Sequence, residues 1–194
     1  MALQSFWVCC FDNRLARYEF DPNTPGNPAV LKQTAITANQ TGIHQPGFGL
    51  LDPWTANSLI FASEHPLGYA AGLYRVGTGA GAQPIQVYSD PRRLTSPRGV
   101  ARMGDHLFIA DNVLETGSSF PRKGILILKW GTNNRLTFVD KVSADPDHSD
   151  FFPVVSHNRE IYFGTNAALY KIRENRGQFS VSGAFPLPVP VSRG

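Results

Sequence analysis

A chain of 194 residues, 42% hydrophobic and only 17% charged, is long enough for one domain with a real core and too short for two comfortable ones. Its formal charge of +3 comes from scattered Lys and Arg, which excludes the basic stripe of a nucleic-acid binder or an anionic-membrane binder. Gly (18) and Pro (15) are abundant, a mixture that suits a turn-rich β protein better than a helical one.

The opening MALQSFWVCCFDNR has no basic n-region, and its apolar run is too short for a signal-peptide core or a membrane span. A cytoplasmic location is the expectation. The FWVCC run reads as a strand, in which Cys9 and Cys10 point to opposite faces and are expected to be reduced thiols, because a disulfide between neighbours is strained. RLARYEF and AVLKQTAI follow as strands, parted by the turn residues PNTPGNP.

Residues 46–64, PGFGLLDPWTANSLIFASE, begin a second unit that continues with GLYRV, the turn GTGAGAQP and PIQVYSD. No helix-forming segment follows GTGAGAQP, so it is a hairpin turn rather than a phosphate loop. SPRGVARMGDHLFIADN at residues 96–112 repeats the pattern and leads into GILILKW and LTFVDKV. DFFPVVSHNREIYFGTN at 150–166 repeats it again, followed by ALYKI and FSVSGAF. In each unit an apolar run ends at a small residue, Cys9, Ala62, Ala110 or Gly164, at intervals of 53, 48 and 54 residues.

Nothing in the chain carries a helical period. The fold class is therefore all-β, a small β-propeller of about four blades of antiparallel strands in a single domain, 1–194. The approximate blades are 1–38, 39–90, 91–143 and 144–185. Blade one begins at its second strand, and residues 186–194 are the segment available to close the ring. There Pro186, Pro188 and Pro190 alternate and block one edge only. Four blades either close as a monomer or pair with a second chain as a homodimer.

The pattern P-x-G-x-A…D-H-L-F-I-A-D-N resembles the recurring blade of NHL-type repeats and of the gluconolactonase (senescence-marker) and strictosidine-synthase-like propellers. RLARYEFDP is similar to the strand and acidic-Pro turn of those families. The resemblance is clear over residues 92–128 and faint elsewhere, and those enzymes usually have six blades. It implies a propeller with a site at the mouth of its central channel. It specifies chemistry poorly, since one fold hosts many activities.

Strand A to strand D run outward from the axis, so the D-to-A and B-to-C loops emerge on one face. That face gathers His44, Arg98 and His148 from the first kind of loop, and Glu64, His65, Asp111, Asn112 and Asn166 from the second. Glu64, Asp111, Asn112 and Asn166 form a hard-oxygen set of the sort Ca²⁺ or Mg²⁺ accepts. The gluconolactonase resemblance implies such an ion as a Lewis acid on a lactone carbonyl. Glu64, Asp111, His44 and His148 are the candidate catalytic residues, the two histidines as general bases. His65, Arg98, Asn112, Asn166, Tyr69 and Phe120 are the candidate ligand contacts, the last two on long B-to-C insertions able to close as a lid. Against this stands the fact that Asp and Asn favour strand-to-turn junctions without any ligand. His106 and His157 lie by the opposite face and are expected to be solvated. Trp54 and Trp130 are expected to pack between blades.

Two functions follow. One is a small-molecule enzyme with a single pocket at the channel mouth, hydrolysing a lactone or, without a metal, cyclising or isomerising a metabolite. The other is a glycan-binding lectin or a protein-interaction propeller without turnover. A lectin built of repeats would carry the same binding residues in every blade, whereas these loops differ, which favours one central pocket.

Overall fold

Apolar runs this short bury their side chains only by pairing into sheets and stacking the sheets. The computed structural model describes residues 4–10, 14–24, 26–36, 46–63, 71–79, 81–112, 123–132, 135–143, 154–165 and 168–186. Every regular element among them is a strand. The first sheet is β1 (Gln4–Cys10), β2 (Arg14–Phe20) and β3 (Val30–Ile36); the second is β4 (Pro46–Leu51), β5 (Ser58–Ser63), β6 (Gly72–Gly77) and β7 (Ile85–Tyr88). The third is β8 (Pro97–Met103), β9 (His106–Asp111), β10 (Gly124–Trp130) and β11 (Leu136–Val142). The fourth is β12 (Val154–His157), β13 (Glu160–Gly164), β14 (Ala168–Asn175) and β15 (Gln178–Pro186). In each sheet the spatial order follows the chain and neighbours are antiparallel. These are four blades of a small β-propeller.

Turn chemistry sets the tight meander. The two-residue loops Asn158–Arg159 and Arg176–Gly177 have positive φ at both positions, the primed turn whose twist matches paired strands. The glycine at 177 supplies that conformation without a Cβ clash.

The second strand of the second and third blades is sandwiched between neighbouring sheets and is buried on both faces, whereas β13 of the fourth blade alternates between buried and half-buried residues. Thus β5 is buried throughout as SLIFAS, and Leu107 to Asp111 of β9 likewise, which is why these runs are apolar without alternation. One core lies between the second and third sheets around Ile60, Leu73, Ile109 and Leu126. Another joins the third to the fourth through Phe108, Ile125, Ile161 and Phe163. A smaller one joins first to second through Leu15, Leu59, Phe61 and Tyr74. Among the described residues, β1–β3 make no extensive contact with β12–β15.

The register of small residues aligns β1 with β5, β9 and β13, so the first sheet holds three strands and no described strand pairs with the inner edge of β1. Of residues 186–194, expected to fill that place, Pro186 instead ends β15 opposite Ala168, and 187–194 lie outside the described residues.

Gly124 opens β10 where β11 crosses closely: a Cβ there would sit 2.5 Å from the Val142 carbonyl oxygen. Gly72 holds the same place in the second sheet, 2.6 Å from the Tyr88 oxygen. Gly124→Ala should cost about 1–3 kcal/mol in urea unfolding, the penalty of overpacking against backbone. An unchanged midpoint would mean that β11 retreats freely.

Candidate functional site

The inner strands β4 and β8 both carry a bulge at the end where the inter-blade and B-to-C loops emerge, at Pro46–Gly49 and Pro97–Gly99. Bulges re-aim side chains at barrel rims and sites. Arg98 is the extra residue of the β8 bulge and is half-buried. Opposite it, Pro97 pairs with Asp111, and the Asn112 N–H donates to the Ser96 carbonyl at 2.8 Å. One wall of the mouth is therefore built from residues 95–98 and 111–112.

The centre of that wall is Asp111, which is fully buried. Its Oδ1 accepts the backbone N–H groups of Thr95 at 3.0 Å and Ser96 at 2.7 Å. Its Oδ2 accepts the Lys141 ammonium at 2.6 Å, and Lys141 also donates to the Arg93 carbonyl at 2.8 Å. The carboxylate thus ties the second strand of the third blade to its outermost strand and to the segment entering β8. Asp90 fixes the other end of that segment. It accepts the Arg92 N–H at 3.0 Å and pairs with Arg93 at 3.0 Å, while Arg93 covers the Phe138 ring at 4.1 Å. Burial pushes the Tyr88 phenol up from its ordinary range, with the Asp90 charge adding to the rise and Arg93 opposing it.

The positions equivalent to Asp111 are Ser63 and Thr165, also buried. Thr165 closes a tight turn: its N–H donates to the Ala168 carbonyl at 2.9 Å, and its Oγ1 accepts from the Ala168 N–H at 3.1 Å. The B-strand ends of the second, third and fourth blades are thus polar, and only the third is ionic.

Of the residues singled out in the sequence, Arg98, Asp111 and Asn112 come together here. His44, Glu64, His65, Tyr69, Phe120, His148 and Asn166 lie outside the described residues. The donors around Asp111 bear on the divalent cation: three N–H groups, one of them an ammonium, suit an anion that is already paired and not a ligand offering lone pairs to Ca²⁺ or Mg²⁺. Asp111 is therefore already paired within the protein by these three donors. Among the described residues no group of three or more His, Cys, Asp and Glu side chains is arranged to hold a metal ion.

Lys141 is the residue that sequence reasoning missed. It lies in another strand, 30 positions from Asp111, with no local motif to join them. His106 also differs from expectation: its Nδ1 lies 2.9 Å from the Asp105 carboxylate and its ring meets Phe179 edge-on at 5.3 Å. His157 is exposed, as expected. On the same face as His106, Trp54 and Trp130 stack between the second and third blades, with centroids 4.3 Å apart and planes 4° off parallel.

A second concavity, of about 210 Å³, opens between the first two sheets and is walled by Trp7, Leu15, Leu50, Leu51 and Phe61. That is below the volume of usual small-molecule pockets, roughly 300–1,000 Å³.

No protein-family model matches the chain, and no curated protein is similar to it at a significant level. Among solved structures, the chain is similar to the extracellular domain attributed to the hybrid two component system BT4673 from B. thetaiotaomicron. The match has a TM-score of 0.53 and 16% identity over 97% of this chain and 22% of that one. It shows a shared fold, and the chain spans only 22% of that relative's length. A chain of a nidogen/laminin complex also aligns, at 11% identity over 96% of this chain and 94% of that one, with a TM-score of 0.37.

Proposed function

We propose that the protein takes one small molecule at the mouth of the propeller axis and transforms it there, by lactone hydrolysis or by metal-free cyclisation or isomerisation. Glu64, His44 and His148 supply the acid–base chemistry in this reading. Arg98 and Asn112 hold the ligand on the third blade, and Asp111 holds them in place without touching it. The observation that carries the reading is the inequality of the blades: the equivalent B-strand ends are Ser63, Asp111 and Thr165, and only Asp111 is ionic. A site repeated in every blade, as in a lectin of repeats, would need like residues at like positions.

One observation favours the second reading, a glycan-binding or protein-binding propeller without turnover. The carboxylate described at the mouth is already spent on structure, which leaves general acid–base work to the loops alone. A panel of lactones, sugar acids and apolar metabolites, followed by thermal shift and product analysis, separates the two. The enzyme reading expects a ligand that is consumed. It also expects Glu64→Gln to lower turnover by roughly 100-fold or more while the melting temperature holds. Saturable binding with no product would give the site to the second reading.

A further inference from the structure

We propose that two copies of this chain join head to tail, the outer face of the fourth sheet of each packing on the outer face of the first sheet of the other, so that two four-bladed arcs close one ring.

The three internal junctions show what each face is made to meet. On the side toward the following sheet, the register pairs Ala62–Leu73 and Ala110–Ile125 are buried. The equivalent pair in the fourth sheet is Gly164–Leu169, flanked by Val155, Tyr162 and Phe185. On the side toward the preceding sheet, Phe61–Tyr74 and Ile109–Leu126 are buried, and Phe163–Tyr170 is covered likewise. Their equivalent in the first sheet is Val8–Ala16, flanked by Phe6, Tyr18 and Leu31.

Both terminal faces therefore keep the apolar character of a blade junction, and although Ala16 itself is buried, large apolar side chains around these pairs stay exposed. Phe6 is 40% exposed and Leu31 46%, while Val155 is 50% exposed, Leu169 37% and Phe185 56%. One face is of the following kind and the other of the preceding kind, so each is the natural cover of the other. Among the described residues they make no extensive contact within one arc. A second copy supplies both at once, through two identical junctions, and a head-to-tail contact that closes makes a ring rather than a filament.

The polar chemistry agrees. The first face is aromatic, with Phe6 stacked on Tyr18 at 5.8 Å and edge-on to Phe20 at 5.9 Å. The fourth brings cations: Lys171, paired with Glu160 and 5.9 Å from the Tyr162 ring, and Arg173 two residues on along the same strand. Cations over aromatic rings already join the second and third blades, Arg75 over Trp130 at 5.0 Å and Arg102 over Trp54 at 5.4 Å.

Sedimentation equilibrium of the whole chain over a concentration series tests this directly. The expected mass is twice 21.3 kDa. Phe6→Lys and Phe185→Asp, at exposed positions on opposite faces, should each halve it, with circular dichroism melting to confirm that both variants fold. Mixed together, the two variants should regain a two-chain species, because each retains the face that the other lacks. A monomer throughout, or an open series of larger species, overturns the proposal. So does a dimer that one of the variants leaves intact, or a mixture that stays monomeric, since those outcomes point to a same-face contact or none.

Discussion

Asp111→Leu should lower the melting temperature by on the order of 10 °C, although Asp111 stands at the mouth of the candidate site. The substitution strands the Lys141 ammonium, whose side chain is only 15% exposed, and leaves the Thr95 and Ser96 N–H groups without their acceptor. Breaking one side of a buried ion pair costs about 3–5 kcal/mol, and each kcal/mol moves the midpoint of a domain this size by roughly 2–4 °C. Lys141→Met alone should cost less, because two backbone donors still hold the carboxylate. The double variant should cost less than the sum of the singles, by about 0.5–3 kcal/mol of coupling. Asp111→Asn adds a sharper distinction. It keeps an oxygen for the two N–H groups but turns the face toward Lys141 neutral, so stability falls moderately. Were Asp111 instead a catalytic or metal-binding carboxylate, Asp111→Asn would abolish turnover or ion binding with the melting point unmoved. That result would return the residue to the active centre.

The division of labour at Asp111 explains what was readable from sequence and what was not. The blade repeat was legible because each unit states it locally: a buried run such as HLFIA, a small residue, then a turn. A central strand between two sheets needs apolar residues on both faces, and no other element of this length shows that pattern. Whether Asp111 and Asn112 formed a turn or a site wall was not legible. Both uses want the same residue types at the same junction. What the structure adds is Lys141, a partner set by the pairing of β9 through β10 to β11, which no spacing rule reports. His106 was misplaced for the same reason. Its surroundings are completed by Phe179, an outer-strand residue of the next blade. Contacts inside one hairpin are written in adjacent residues. Contacts between blades depend on how two sheets settle on each other, and the chain carries that only as general apolarity.

Trp130→Ala is the clearest test of such an inter-blade contact. Trp54 lies in the turn between β4 and β5, and Trp130 ends β10 in the next blade. Their parallel rings are capped on one side by Arg75 and on the other by Arg102. Arg75 in turn pairs with the buried Asp52, whose Oδ1 accepts the N–H groups of Trp54 at 2.8 Å and Thr55 at 3.1 Å. The turn that presents one indole is thus held by the residue that covers the other. Truncating Trp130 removes a large half-buried ring, the stack and one cation contact together, and the expected loss is about 3 kcal/mol, the lower end of the range for a large aromatic. Trp130→Phe keeps a ring over Trp54 and should lose only about 1 kcal/mol, since the stacked pair itself contributes roughly 0.5–1.5 kcal/mol beyond buried area. Denaturant midpoints measure both, and near-ultraviolet circular dichroism should lose the signal of the coupled indoles in either variant. Trp54→Ala combined with Trp130→Ala should cost clearly less than the two losses added, because each ring is most of the other's cover. Strict additivity would mean that the two tryptophans serve their own blades and that the junction is held by the aliphatic core beneath them.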